Sequence, residues 1–296
     1  MKILIIGKTG QLAAELASSI PVGVIAKTMG RPELDVSDAA SVMDAVMAFA
    51  PAVVINAAAY TAVDVAESDA EMAYLVNEQG AKNIAMACLA VGARLLHVST
   101  DFVFGNTSAV TANGIAPLLP ESPADPVSVY GASKLAGEQQ IQALLPTQSV
   151  IVRTAWVYSV YGNNFVKTML RLMASKPQLG VIYDQVGTPT WAKGLATWLW
   201  VVAEKPEVAG IFHWTDAGVT SWYDFAVAIQ ELAIEKGLLT DAVPINALPT
   251  SGYPTPAQRP SYSLLDKTTA EQAAAITPIH WRQQLAKMLD ELAAIA

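Results

Sequence analysis

Cysteine occurs once in this chain, at Cys88, so no intrachain disulfide can form and the protein suits a reducing compartment. Cys88 itself reads as a small apolar residue on a helix face. Charge is scarce too: 15% of residues are charged, against a usual fraction of about 25%. Basic groups are the scarcer kind, 18 against 26 acidic, for a net charge of −8. That balance argues against nucleic acid as a partner, because phosphate backbones select basic surfaces. Long apolar runs are missing as well, despite 53% hydrophobic residues. The longest candidate, LATWLWVVA at 195–203, is about half of the ~20 residues that a membrane-spanning helix needs, and Glu204 and Lys205 follow it. The apolar run at 3–6 is closed by Gly7 and Lys8, too short for the core of a signal peptide. No membrane partner is expected, and the expected compartment is the cytoplasm. Low charge with high hydrophobicity also excludes disorder as the main state.

What is present is an alternation of short β-branched runs and Ala-rich helical stretches. Strands are expected at 2–6, 22–26, 52–56, 94–99 and 149–153, with helices at 11–20, 38–49, 67–91 and 130–145. The strands are continuously apolar, as in a parallel sheet covered by helices on both faces. Repeated strand–helix units predict an α/β fold with a Rossmann-like, doubly wound parallel sheet. The 296 residues suit about two domains. The first is expected over 1–154, with later strands and helices around 179–214 returning to it. The second, a smaller C-terminal lobe for substrate, takes 155–178 and 215–296. Prolines cluster in ALPTSGYPTPAQRP (247–260), which reads as an ordered, contacting loop. The aromatic group Trp191, Trp198, Trp200, Trp214, Trp222 and Tyr223 reads as core packing.

The first strand runs into Gly7-Lys8-Thr9-Gly10-Gln11-Leu12-Ala13 and then a helix. Glycines there permit a tight turn, and a helix N-terminus offers free N–H groups to a pyrophosphate. The second strand ends without the acid that would favour NAD, so Lys27 or Arg31 is a candidate for a 2′-phosphate, which leans toward NADP. Tyr130 and Lys134 form Y-x-x-x-K on one helical face. An unperturbed tyrosine titrates near 10, and a lysine ammonium beside it would lower that value. The pair alone is weak evidence. Its weight comes from Ser99-Thr100-Asp101 at the C-terminal end of the fourth strand, the edge where open α/β sheets bind ligands. His97, His213 and His280 have no second metal-type ligand nearby, so no metal is expected.

With these residues in hand the chain resembles the dTDP-4-dehydrorhamnose reductase family of extended short-chain dehydrogenases/reductases. The resemblance rests on GKTGQLA (7–13), LDVSD (34–38), VVINAAAYTAVDVAE (53–67), Asn77, HVSTDFVF (97–104), VYGASKLAGE (129–138), VRTAWVY (152–158), GNNFVKTML (162–170), DQVGTPT (184–190) and YPTPAQRP (253–260). It implies NAD(P)H-dependent reduction of the C4 keto group of dTDP-4-dehydro-β-L-rhamnose to dTDP-β-L-rhamnose, with NADPH expected and NADH the alternative. Gly7, Gly10, Gln11 and Leu12 would hold the pyrophosphate, with Arg31, Asp35 and Val36 at the adenosine. Ala59, Tyr60, Thr61 and Val98 would line the nicotinamide half. Tyr130 would protonate the carbonyl oxygen, Lys134 would tune Tyr130 and hold the ribose, and Thr100 would share the oxygen. Asp101, Trp156, Asn164 and Arg259 would contact the nucleotide sugar. Core packing is the alternative for Trp156, a surface ion pair for Arg259 and a helix N-cap for Asn164.

Three departures stand out. Phe102 replaces the family's usual tyrosine, and the stretch 105–129 is longer than usual. Lys193 stands where some relatives carry a metal-binding glutamate, so that metal is not carried over even though Glu15 matches another of its ligands. A nucleotide-sugar epimerase or 4,6-dehydratase is a second enzyme reading, disfavoured because Phe102 occupies the position of the dehydratase's extra acid. A non-catalytic NADP-binding regulatory subunit is a third. The assembly expected is a monomer or homodimer.

Overall fold

The computed structural model describes residues 1–105, 109–111 and 114–295. Part of the long stretch 105–129 thus lies outside the described residues. Strand β1 (Lys2–Ile6) enters helix α1 (Gln11–Ser18) through the glycine loop. Then follow β2 (Ile25–Met29), α2 (Ala39–Phe49) and β3 (Val53–Asn56). Helices α3 (Val63–Ala66), α4 (Ala70–Tyr74) and α5 (Gly80–Val91) lead to β4 (Arg94–Thr100). Helix α6 (Val129–Leu144) and β5 (Ser149–Thr154) complete the part anticipated from sequence.

A sixth strand, β6 (Gly210–His213), closes the sheet, whose order is β6-β5-β4-β3-β1-β2 with every pairing parallel. The order reverses between β1 and β3, and a crevice opens at the carboxyl ends there. Both faces are covered. Ile3, Ile5, Leu96 and Val150 pack with Leu12, Leu16 and helix α8 (Ala192–Ala203). Leu4, Val54, Leu95 and Ile151 pack with Val42, Ile84 and Ile141 of α2, α5 and α6 on the other side. Cys88 lies in that second layer, and burial pushes its thiol up to about 12.

The strand expected at 22–26 lies three residues later. Val24 N–H donates to Pro21 O and Gly23 takes φ +85°, so Pro21–Val24 forms a turn that no strand can cross. The expected single helix over 67–91 is broken into α4, a π-helical turn at Leu75–Gln79, and α5. Of the segment 179–214, α8 and β6 join the sheet, whereas Leu179–Ile182 pairs instead with Ile245–Leu248. That pair flanks a separate hydrophobic cluster built from Tyr158, Val166, Phe225, Ile229 and Trp281. Trp198, Trp200 and Trp214 pack against the sheet and Trp191 in the separate cluster, while Trp222 and Tyr223 sit partly buried at the latter's margin. Among the described residues no helix is long and apolar enough to cross a membrane.

Candidate active site

The reversal point brings the ends of β1 and β3 into contact. Gly7 has φ +110°, and a Cβ on it would come within 3.1 Å of Ala57 C and Ala58 N, so only glycine fits. Gly10 caps α1 without a side chain, and a Cβ there would meet no protein atom within 4 Å. Gly10 instead faces open cleft at the N-terminus of a helix, a place suited to an anion.

Two adjoining cavities of about 710 and 420 Å³ run along the strand ends and share Thr9, Gly10, Ala57, Ala59 and Thr61. Gly7, Arg31, Asp35, Val36 and Tyr60 line the first, and Gln11, Leu12, Val98, Thr100, Asp101, Tyr130, Lys134 and Trp156 the second. Ser99 Oγ and Thr154 Oγ1, on residues that line the second cavity, are buried without a hydrogen-bond partner. The helix N-terminus, the elongated cleft and these unsatisfied hydroxyls fit a dinucleotide.

Ser128 caps α6 by accepting from Gly131 N. Gly131 lets that helix start lie against the turn Asp101–Val103, because a Cβ would stand 2.1 Å from Phe102 O. Tyr130 is thereby set beside Thr100, whose hydroxyl accepts from Phe102 N at 3.2 Å and donates to Asp101 Oδ1 at 3.0 Å. The Phe102 ring meets Tyr130 edge-on at 5.4 Å. Burial pushes the Tyr130 phenol up to about 12; a hydrogen bond with Thr100 opposes this and the charge of Asp101 adds to it. Burial raises Asp101 to about 6 and lowers Lys134 to about 8. The lowered phenol anticipated from Y-x-x-x-K is therefore reversed in this arrangement. Lys134 Nζ donates to Val98 O at 2.8 Å and meets His97 Nε2 at 3.1 Å, so its polar contacts go to β4 rather than to the phenol.

On the wall of the first cavity, Arg31 is largely exposed and 3.3 Å from Asp35. Hydrogen bonds from Ser37 hold Asp35 below the usual carboxylate range. Lys27 lies over the Phe49 ring and does not line the cleft. Lys8 does, paired with Glu33 at 2.6 Å.

Trp156 has φ +50°, a strained value for a bulky side chain, and stacks on Trp222 at 3.6 Å. Asn164 and Arg259 do not line the cavity. Asn164 caps helix α7 (Phe165–Met173) through Lys167 N and donates to Gln11 Oε1 and Ser159 O. Arg259 is committed to Asp64, with paired contacts of 3.1 and 2.7 Å. Lys193 pairs with Glu291, and Glu15 accepts from Ser159 Oγ at 2.6 Å.

Three residues beneath the site stand in or beside the motifs quoted above, yet the sequence gives them no role there. Asn77, turned inward by the π-helical segment, accepts from Tyr60 N and donates to Tyr60 O and Ser133 Oγ. Asn56 and His97 lie side by side under Lys134. Their local signal is a polar residue within or at the end of a buried strand, as in VVIN and RLLHVST.

A six-stranded doubly wound sheet, a glycine loop at its reversal point and Thr100, Tyr130 and Lys134 along one edge define a Rossmann-type short-chain dehydrogenase/reductase. Within that class, the chain belongs to the dTDP-4-dehydrorhamnose reductase family: the family model for the RmlD substrate binding domain matches residues 1–294. The dTDP-4-dehydrorhamnose reductase of Escherichia coli K12 is 41% identical over 300 residues, 99% of this chain and 98% of the relative. The crystal structure of a Clostridium acetobutylicum dTDP-4-dehydrorhamnose reductase superposes with a TM-score of 0.90 at 39% identity, over 99% of each chain. That of the Bacillus anthracis enzyme, in complex with NADP, also has a TM-score of 0.90, at 31% identity over 98% of this chain and 99% of that one.

Proposed function

We propose that this chain reduces the C4 carbonyl of dTDP-4-dehydro-β-L-rhamnose to give dTDP-β-L-rhamnose, with NADPH as reductant. The observation that carries the reading is the meeting of Tyr130 and Thr100 hydroxyls, with Lys134 behind them, in the cavity that continues from the glycine loop. When bound, NADPH supplies the hydride.

In this reading Gly7, Gly10, Gln11 and Leu12 hold the pyrophosphate against the N-terminus of α1. Arg31, Asp35 and Val36 receive the adenosine end; Ala59, Tyr60, Thr61 and Val98 line the nicotinamide half. Thr100 and Tyr130 donate hydrogen bonds to the carbonyl oxygen, and Tyr130 passes its proton to that oxygen as it becomes an alkoxide. The high proton affinity of the buried phenol keeps Tyr130 protonated and ready to act as the acid. Asp101 and Trp156 contact the sugar. Arg259 reaches the diphosphate only by exchanging its bond to Asp64, and Asn164 acts at second hand by orienting Gln11. Residues 1–154 with α8 and β6 form the dinucleotide unit, and the remainder the substrate lobe. The acidic balance suits a small-molecule partner rather than nucleic acid, the lone buried cysteine suits the cytoplasm, and a monomer or homodimer is the assembly.

The test is NADPH oxidation by purified protein supplied with dTDP-4-dehydro-β-L-rhamnose. Formation of dTDP-β-L-rhamnose is the expected result; folded protein that oxidises no NADPH with this substrate would overturn the reading.

A further inference from the structure

Strand β2 ends without an acid in its own sequence, yet the fold carries one back to that end. Glu33 N–H donates to Gly30 O at 2.9 Å and closes a turn just after the strand. The Glu33 side chain then folds back, and its Oε2 accepts from Gly30 N at 3.0 Å. Its Oε1 accepts from Lys8 Nζ of the glycine loop at 2.6 Å. Gly30 leaves room for that crossing, since a Cβ there would stand 2.9 Å from Lys8 Cβ. Met29 O accepts from Gly7 N at 2.9 Å, so the end of β2 lies directly beside the loop. Lys8, Arg31, Glu33 and Asp35 are the charged residues lining the first cavity, and they are paired, Lys8 with Glu33 and Arg31 with Asp35. That wall therefore carries no net charge. Asp35 is already engaged, Oδ1 by Ser37 N–H and Oγ–H and Oδ2 by Arg31. Glu33 is the acid at the strand end.

We propose that Glu33 reads the 2′ position of the cofactor's adenosine ribose and, by holding Lys8, limits the preference for NADPH over NADH. The proposal rests on the reading of the first cavity as the adenosine end of a dinucleotide site. An ionised carboxylate only accepts, so it takes a bond from a ribose 2′-hydroxyl, which can donate. A 2′-phosphate presents acceptors and negative charge to the same carboxylate and is repelled. Hydrogen bonds from Lys8, and then from Gly30 N–H, hold Glu33 below the usual carboxylate range, so it is ionised at neutral pH. Lys8 is the other half of the arrangement. Its pair with Glu33 is solvent-exposed, with the side chains 54% and 43% accessible, and exposed pairs are weak enough to exchange. To hold a 2′-phosphate, Lys8 leaves Glu33 and Arg31 leaves Asp35. With a 2′-hydroxyl both pairs stay closed and Glu33 keeps its ribose bond. Glu33 thus acts on cofactor choice and not on the carbonyl, since Thr100 and Tyr130 line the second cavity and Glu33 does not.

The test reads binding and needs no turnover. Calorimetric titration of the purified protein with NADPH and with NADH, without sugar nucleotide, gives a Kd for each. Glu33→Gln keeps an oxygen for Gly30 N–H and removes the charge, so it should tighten NADPH and weaken NADH. The ratio of the NADH Kd to the NADPH Kd should rise by roughly tenfold, the worth of about one charge-assisted hydrogen bond. Lys8→Met is the converse: it should weaken NADPH by about fivefold or more and change NADH by less than about twofold. A Glu33→Gln ratio within about twofold of the parent would overturn the proposal and leave the dinucleotide reading standing. A ratio that falls would show that Glu33 aims Lys8 at the phosphate, and would overturn it too. A folded parent that binds neither nucleotide would overturn the dinucleotide reading and this proposal with it.

Discussion

At the scale of single residues, the site sets two demands against each other. In the proposed reaction Tyr130 acts on a carbonyl while shielded from water, and that shielding raises its proton affinity, to about 12 in this arrangement. That suits an acid that gives up a proton only when a stronger base, the developing alkoxide, is beside it. Tyr130→Phe keeps the ring and its edge contact with Phe102 while deleting the acid. Turnover of the keto sugar nucleotide should fall by roughly 10²–10⁴-fold with NADPH binding preserved. Turnover within a factor of two of the parent would remove Tyr130 from the mechanism. Arg31 makes the contrasting case, exposed and only loosely tied to Asp35 at 3.3 Å. It is free to swing onto a 2′-phosphate, so Arg31→Ala should raise KM for NADPH more than KM for NADH. Equal increases would assign cofactor preference elsewhere, with Lys8 next in line on the same cavity wall.

Among the elements, α6 is the part on which the site's geometry depends, and its close approaches explain its glycines. A Cβ on Gly137 would stand 2.1 Å from Asn77 O, backbone of the π-helical turn. Gly137→Ala should therefore push α6 away from that turn and lower stability by about 1–3 kcal/mol in urea unfolding, with a larger KM for cofactor as Tyr130 and Lys134 shift. An unchanged midpoint would mean that the turn relaxes freely. The same elements show what could be read in advance and why. β1, β3, β4 and β5 were legible because a buried parallel strand is a short apolar run bounded by turn residues. β2 was misplaced because Val22 and Val24 look apolar in sequence but lie within the turn Pro21–Val24, where Val22 is fully exposed. The paired fragments outside the main sheet were not legible, since strands as short as these without a continuous apolar run are selected by their partners and not by their own pattern. Site residues followed the same rule. Loop glycines and Tyr130–Lys134 announce themselves by local spacing, whereas the pairing of Arg259 with Asp64 spans 195 positions.

For the whole molecule, low charge becomes a question of how the few charges are used. Arg153 is buried against Glu138, Lys8 meets Glu33, Lys193 meets Glu291 and Arg259 meets Asp64, so several cations are already engaged. Asp216 is a buried acid with no ion pair at contact distance among the described residues, the charge of Lys267 opposing its burial only in part. Asp216 accepts from Trp191 N at 3.0 Å and lies near Tyr158 and Gln284, where the sheet layer meets the separate cluster. Burial raises it to about 8 from an ordinary 3.8. Folded protein thus binds this proton more tightly than unfolded chain, and the stability it confers is complete below about pH 4 and lost as pH rises toward about 8. Over that window the slope is at most ~1.4 kcal/mol per pH unit. Asp216→Asn keeps the shape and cannot ionise, so its unfolding free energy should lack this slope. Urea unfolding of both proteins at several pH values from about 5 to 8 should show the parent losing ground to the variant as pH rises. Parallel curves would mean that Asp216 is ionised in the folded protein, and that the junction between the two clusters is held by a charge.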